Sequence, residues 1–134
     1  MVLTFSPAAA DTISSFLVDS GTKPEDYDLI LTGDLGYTGS KLMLELLGRD
    51  GINLQNHDDC GMMIFDRQKQ DVHSGGSGCG CSASVLCSVI LNKMQKGELK
   101  NVLFCATGAL MSPTSCMQGE SIPAIAHLVN LKVD

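Results

Sequence analysis

The chain has 134 residues, 44% of them hydrophobic, and a formal net charge of −6, so residues 1–134 are read as a single domain with its own core. The acidic balance, without any lysine or arginine cluster, excludes nucleic acid or an anionic membrane surface as the main partner. No stretch approaches the roughly 18 apolar residues of a membrane span, and a core this apolar needs no staples, so the six cysteines are expected reduced and the protein cytoplasmic.

Met1 to Phe5 is a short apolar run, either the end of a strand or the approach to the first helix. Ser6 followed by Pro7 is a helix-start signal, the hydroxyl capping free N–H groups and proline costing no hydrogen bond at the first helical position. Ala9, Ile13, Phe16 and Leu17 share one helical face, and Gly21 ends it. After the connector at Pro24, Glu25 and Asp26, the run from Tyr27 to Thr32 predicts a buried strand.

Gly33 to Gly39 is a glycine-bearing strand exit, and a helix is predicted from about Ser40 to Leu47, stopped by Gly48. A strand, a polar turn and a helix in that order is the α/β pattern in which loops beyond strand ends hold sites. Asp34 is the carboxylate at that exit. Its structural alternative is a turn-forming side chain bonded to nearby backbone. Arg49 to Asp59 is polar and reads as loop, and Cys60 to Phe65 reads as a short strand carrying Met62, Met63 and Ile64.

From Asp71 to Met94 glycines and cysteines crowd into one stretch, Gly75, Gly76, Gly78 and Gly80 with Cys79 and Cys81, and a periodic apolar segment follows. Leu86, Val89, Ile90 and Met94 predict a helix from about Ser82 that Gly97 stops. The glycines serve either close packing or a cradle in which backbone N–H groups meet an anion. Val102 to Thr107 is the clearest later strand. Residues 109–121 are too uneven for a regular element, and Ile122 to Val133 alternates as a last strand.

Standard motifs fail on this stretch. No Gly-Lys-Ser/Thr follows the glycines, and the residues before them are too polar for a dinucleotide-binding strand. Cys79 and Cys81 stand too close for a paired zinc motif, and His57, Cys60 and His73 would each have to be recruited separately, so no metal is assigned. A cysteine nucleophile at Cys79 or Cys81 finds no third partner beyond His73. Cys87 and Cys105, in apolar sequence, read as small core side chains, and His127 as structural or partly exposed.

The strings GGSGCGCSASVL, LNKMQKGELKNVLFCATGALMSPTS and QGESIPAIAHLV together resemble the C-terminal half of the stage V sporulation protein AD family, within the thiolase-like superfamily. The resemblance implies an α/β domain, one thiolase-like half with a mixed, mostly parallel five-stranded sheet whose first strand is short or missing here. In condensing relatives this half brings a histidine to the strand exit, which by order falls near Asp34, and a histidine or asparagine to the glycine turn, at about Gly76. Neither side chain is present, which argues against condensation or thiolysis, reactions that need positioned proton-transfer groups.

The resemblance therefore implies a non-catalytic domain that binds dipicolinic acid, or takes part in its uptake into the developing spore. The implied cleft wall comprises Asp34, Thr38, Gly76, Ser77, Gly78, Cys79, Gly108 and Thr114, with no catalytic residue, metal or cofactor. Implied partners are an N-terminal thiolase-like half, further copies of the chain, and membrane proteins of the same sporulation operon. The implied location is the cytoplasm or the periphery of the forespore inner membrane. The alternatives are an assembly module that pairs with another such half, and a degenerate acyltransferase-like or cysteine-dependent enzyme.

Overall fold

The computed structural model describes residues 2–75, 78–109 and 112–134. Helix α1 spans Val2–Ser20, so the apolar residues before Ser6 are already helical rather than the end of a strand. Ser6 is not a cap. Its hydroxyl donates to the Gly39 carbonyl at 2.8 Å in a buried contact, because the helix has begun upstream and Ser6 meets the neighbouring helix instead. Ala9, Ile13 and Leu17 form the buried face that the spacing predicts, joined by Ala10.

Strand β1 (Leu29–Thr32) leads into α2 (Gly36–Arg49). The helix starts earlier than the predicted Ser40, since Gly36 to Gly39 complete its first turn. Strand β2 (His57–Asp59) lies where the polar sequence predicts loop. Its backbone pairs in parallel with β1, Ile30 opposite His57 and Thr32 opposite Asp59, and its polar side chains find hydrogen bonds in place of apolar contacts. The strand predicted at Cys60 to Phe65 is instead a helical turn, α3 (Cys60–Met63). Cys60 and Met63 face the core at helical rather than alternate spacing.

The segment after the glycines is one continuous helix over residues 81–95, made of α4 (Cys81–Val85), a π-helical stretch Leu86–Ile90 and α5 (Leu91–Gln95). Its buried residues are Cys81, Val85, Ile90 and Met94. The step from Val85 to Ile90 is one residue too long for an α-helix, and the wider π turn absorbs it, keeping all four side chains on the sheet. Leu86 and Val89 are half-buried and Cys87 is exposed, which corrects the core placement of Cys87. The local sequence is apolar, but the residue lies on the outer side of the π turn.

Strand β3 (Asn101–Ala109) pairs in parallel with β1, and β4 (Ala124–Lys132) returns antiparallel to β3. Between them lies the short helix α6 (Pro113–Met117), where no regular element is predicted. Proline at its first position pre-sets the backbone angle, so five residues without apolar periodicity still close a turn. The sheet has four strands among the described residues, in the order β2-β1-β3-β4.

Alternation along the strands divides the core. Ile30, Leu103 and Cys105 face α1 and α2, packing with Ile13, Leu17, Met43 and Leu47. Leu31 and Val102 face the other way, against Cys60, Cys81, Val85, Ile90 and Met94. Helices thus cover both faces of a mixed, mostly parallel sheet. From the centre of that sheet β1 exits toward β2 while β3 exits toward β4. Adjacent strand ends that lead away from each other leave a crevice, the usual position of a site in such folds.

Candidate functional site

At the C-terminal edge of the sheet Asp59, Thr32 and Cys105 lie in one row across three strands. Asp59 and Thr32 are fully buried. The Thr32 hydroxyl donates to Asp59 Oδ1 at 2.5 Å, and the backbone N–H groups of Leu35 and Gly36 donate to Oδ1 and Oδ2 at 2.9 Å each. The carboxylate therefore caps α2 from a neighbouring strand and favourably meets the positive end of its dipole. His57 Nε2 stands 3.0 Å from the same hydroxyl. Because the single Thr32 hydrogen goes to Asp59, Nε2 carries the proton and donates, which fixes the tautomer.

Burial raises the Asp59 carboxyl above its ordinary range, opposed by the three hydrogen bonds it accepts. Burial also holds His57 down at about 4, outweighing the opposite pull of Asp58. It pushes the Cys60 and Cys105 thiols up to about 12 each. Burial thus favours the neutral thiol at both positions, whereas the thiolate is the nucleophilic form.

Over this capped turn lies the glycine-rich loop. The Tyr37 N–H donates to the Ser74 carbonyl at 2.7 Å, the Thr38 and Ser74 hydroxyls meet at 2.6 Å, and the Gly78 N–H donates to Asp34 Oδ2 at 2.9 Å. Two glycines make the approach possible. A Cβ on Gly36 would stand 2.8 Å from the Ser74 carbonyl oxygen, and one on Gly75 would stand 2.6 Å from that of Gly61. Both residues also have positive φ, 68° and 76°. On the other side of the turn, the Thr107 hydroxyl accepts the Asp34 N–H at 3.1 Å and the Cys105 carbonyl accepts the Gly33 N–H at 3.0 Å. The ends of β1 and β3, the start of α2 and the glycine loop are thus one hydrogen-bonded assembly.

A sequence model of the family described as stage V sporulation protein AD matches residues 1–132. The chain belongs to the stage V sporulation protein AD family. It is 49% identical over 123 residues to stage V sporulation protein AD of Bacillus subtilis (strain 168), an overlap covering 91% of this chain and 36% of that protein. The chain thus spans about a third of the length of the curated relative it matches. Its layered α/β architecture, with a mixed and mostly parallel sheet, is that of a thiolase-like half.

Within this sporulation-family domain the residues predicted for the cleft wall are distributed as follows. Asp34 and Gly78 are bonded to each other, and Thr38 is bonded to Ser74 of the same loop. Cys79 is exposed. Gly108 follows Thr107 on β3 and pairs with Ile125 of β4. Thr114 is exposed on α6. Gly76 and Ser77 lie outside the described residues. Asp59, Thr32, His57, Ser74 and Thr107 are absent from the sequence-based set. The available signal was the polar run His57-Asp58-Asp59, standing where an α/β chain needs a strand after α2.

Two clefts open away from this assembly. One, of about 500 Å³, lies between the end of α1 and the end of α2 and includes Val18, Lys23 and Ile52. The other, of about 530 Å³, is lined by Leu91, Met94, Asn130, Leu131 and Val133. No helix among the described residues is long and apolar enough to cross a membrane.

Proposed function

We propose that this chain is a non-catalytic domain that supplies one wall of a cleft for dipicolinic acid, and so takes part in the binding or uptake of that diacid in the developing spore. The observation that carries this reading is the glycine loop folded over the β1–α2 turn. Asp34 stands where a condensing relative would be expected to place a histidine, and its carboxylate accepts the Gly78 N–H. The same assembly holds the hydroxyls of Thr38, Ser74 and Thr107 and the backbone N–H groups of Asp34, Tyr37 and Gly78. Such groups bind and orient a carboxylate, whereas condensation needs a nucleophile and proton-transfer groups.

Isothermal titration of pyridine-2,6-dicarboxylate into this chain and into a complete two-half protein tests the reading. Saturable binding by both places the determinants here. Binding by the complete protein alone places them in the other half, and binding by neither rejects the ligand. The membrane proteins of the same operon enter the proposal as the partners to which a loaded domain delivers its diacid.

A second reading, an assembly module, is favoured by the surface of β4 and α5. Val133 and Leu91 are 41% and 38% exposed at the cleft between the two elements, and Val129 on β4 is 49% exposed. Apolar surface of this kind suits packing against another thiolase-like half or a second copy of the chain. Sedimentation over a hundredfold concentration range separates a self-associating domain from a monomer.

A further inference from the structure

We propose that Arg67 is an anion anchor beside the glycine loop, receiving a carboxylate of a small planar aromatic acid. The proposal rests on the ligand-holding reading above and supplies what that reading lacks. A chain of net charge −6 repels a dianion unless a fixed cation stands at the site.

The chain has two arginines. Arg49 is engaged along its own helix with Glu45 at 3.0 Å. Arg67 has no carboxylate partner among the described residues, although Asp66 and Asp71 lie close in sequence. Asp66 pairs with Lys69 at 3.4 Å and Asp71 faces His73 at 3.8 Å.

Arg67 is nevertheless held in place. Its Nε donates to the His73 carbonyl at 3.0 Å, and its guanidinium carbon lies 3.9 Å from the centroid of the Tyr37 ring. His73 itself adopts a φ of 50°, the positive-φ non-glycine residue among those described, so the bend that aims this carbonyl is conformationally costly. The two contacts hold the guanidinium plane and leave both Nη atoms without a hydrogen bond among the described residues. A guanidinium fixed by its Nε edge and one face presents the remaining donors as a fork that fits a carboxylate.

The surroundings suit the rest of an aromatic acid. Tyr37 is 43% exposed, leaving aromatic surface beside the cation. Its own N–H is tied to Ser74, next to the Thr38–Ser74 hydroxyl pair. Cation, aromatic ring and hydroxyls are therefore contributed by one contact between α2 and the loop. Arg67 is separated by sequence from every residue of the predicted cleft wall, and the fold brings it there.

Phenylglyoxal modification of the 134-residue chain, read residue by residue by mass spectrometry, tests the anchor with Arg49 as internal reference. Pyridine-2,6-dicarboxylate and benzoate are expected to slow modification of Arg67 at least about fivefold and to leave Arg49 unchanged. In titrations, Arg67→Gln is expected to weaken diacid binding about tenfold or more, and Arg67→Lys less, as a point charge replaces a fork. Protection by benzoate without protection by the diacid supports the anchor and overturns dipicolinic acid as the ligand. Equal modification of Arg67 with and without either acid overturns the anchor, as does wild-type diacid affinity in Arg67→Gln. The protection measurement needs no variant, so a folding defect in Arg67→Gln leaves the test intact.

Discussion

The Thr32 hydroxyl donates to Asp59 Oδ1 at 2.5 Å with both residues fully buried, joining two parallel strands at the point where α2 begins. Asp59→Ala would leave that hydroxyl and the Leu35 and Gly36 N–H groups without their acceptor. A loss of about 3 kcal/mol is expected, since each orphaned buried donor costs about 1 kcal/mol or more. Asp59→Asn retains one acceptor oxygen and is expected to cost less. Urea denaturation of both variants measures the difference, and wild-type stability in Asp59→Ala would show that α2 is capped by other groups.

His57, held at about 4 against an ordinary 6.5, makes stability depend on pH. Between these values the unfolded chain binds a proton that the folded chain excludes, so stability falls as pH drops through this window. The contribution is complete above 6.5 and amounts to at most about 3 kcal/mol. Asp59 acts with the opposite sign. Its raised pKa means that the native state takes up a proton more readily than the unfolded one as pH falls, offsetting part of the loss. His57→Gln keeps an N–H donor for Thr32 and removes the titration. The unfolding free energy of wild type minus that of His57→Gln should fall from pH 7 to pH 4, and a constant difference would contradict the buried neutral imidazole.

Gly36→Ala places a methyl group 2.8 Å from the Ser74 carbonyl oxygen at a φ of 68°. The backbone of the glycine loop has to withdraw, breaking the Tyr37-to-Ser74 bond and loosening Arg67. A destabilisation of at least about 2 kcal/mol is expected, together with faster amide exchange at Tyr37. Gly21→Ala, with a similar φ of 65° but open space around its Cβ, is the control for strain alone. Equal effects of the two substitutions would mean that loop packing at Gly36 contributes nothing.

The cysteines divide by burial rather than by sequence neighbourhood. Cys79, Cys87 and Cys116 are exposed, and Cys60, Cys81 and Cys105 are buried. Iodoacetamide at neutral pH should label the first three in the native protein and all six only after denaturation. The thiols of Cys60 and Cys105, pushed up to about 12, are the most resistant by chemistry as well as by access. Rapid labelling of Cys105 in the native state would show that the β1–β3 edge opens.

The apolar periodicities were sufficient to place α1, β1, β3 and β4, because Ala9-Ile13-Leu17 and the strand runs follow the geometric repeats of their elements. The strings around the glycines likewise carried the family, and it was the resemblance they carry that grouped Asp34, Thr38 and Gly78. Tertiary structure alone decided the rest. His57-Asp58-Asp59 is polar and forms a strand because β1 supplies its backbone partners and the α2 terminus supplies donors for Asp59. Cys87 lies in apolar sequence and is exposed because a π turn rotates it away from the sheet. Arg67 sits in a charged connector and acquires a role only where Tyr37 and the His73 carbonyl meet it. Periodicity records which face a residue buries against its own element's neighbours, whereas a hydrogen bond between distant segments leaves no periodic trace in the chain.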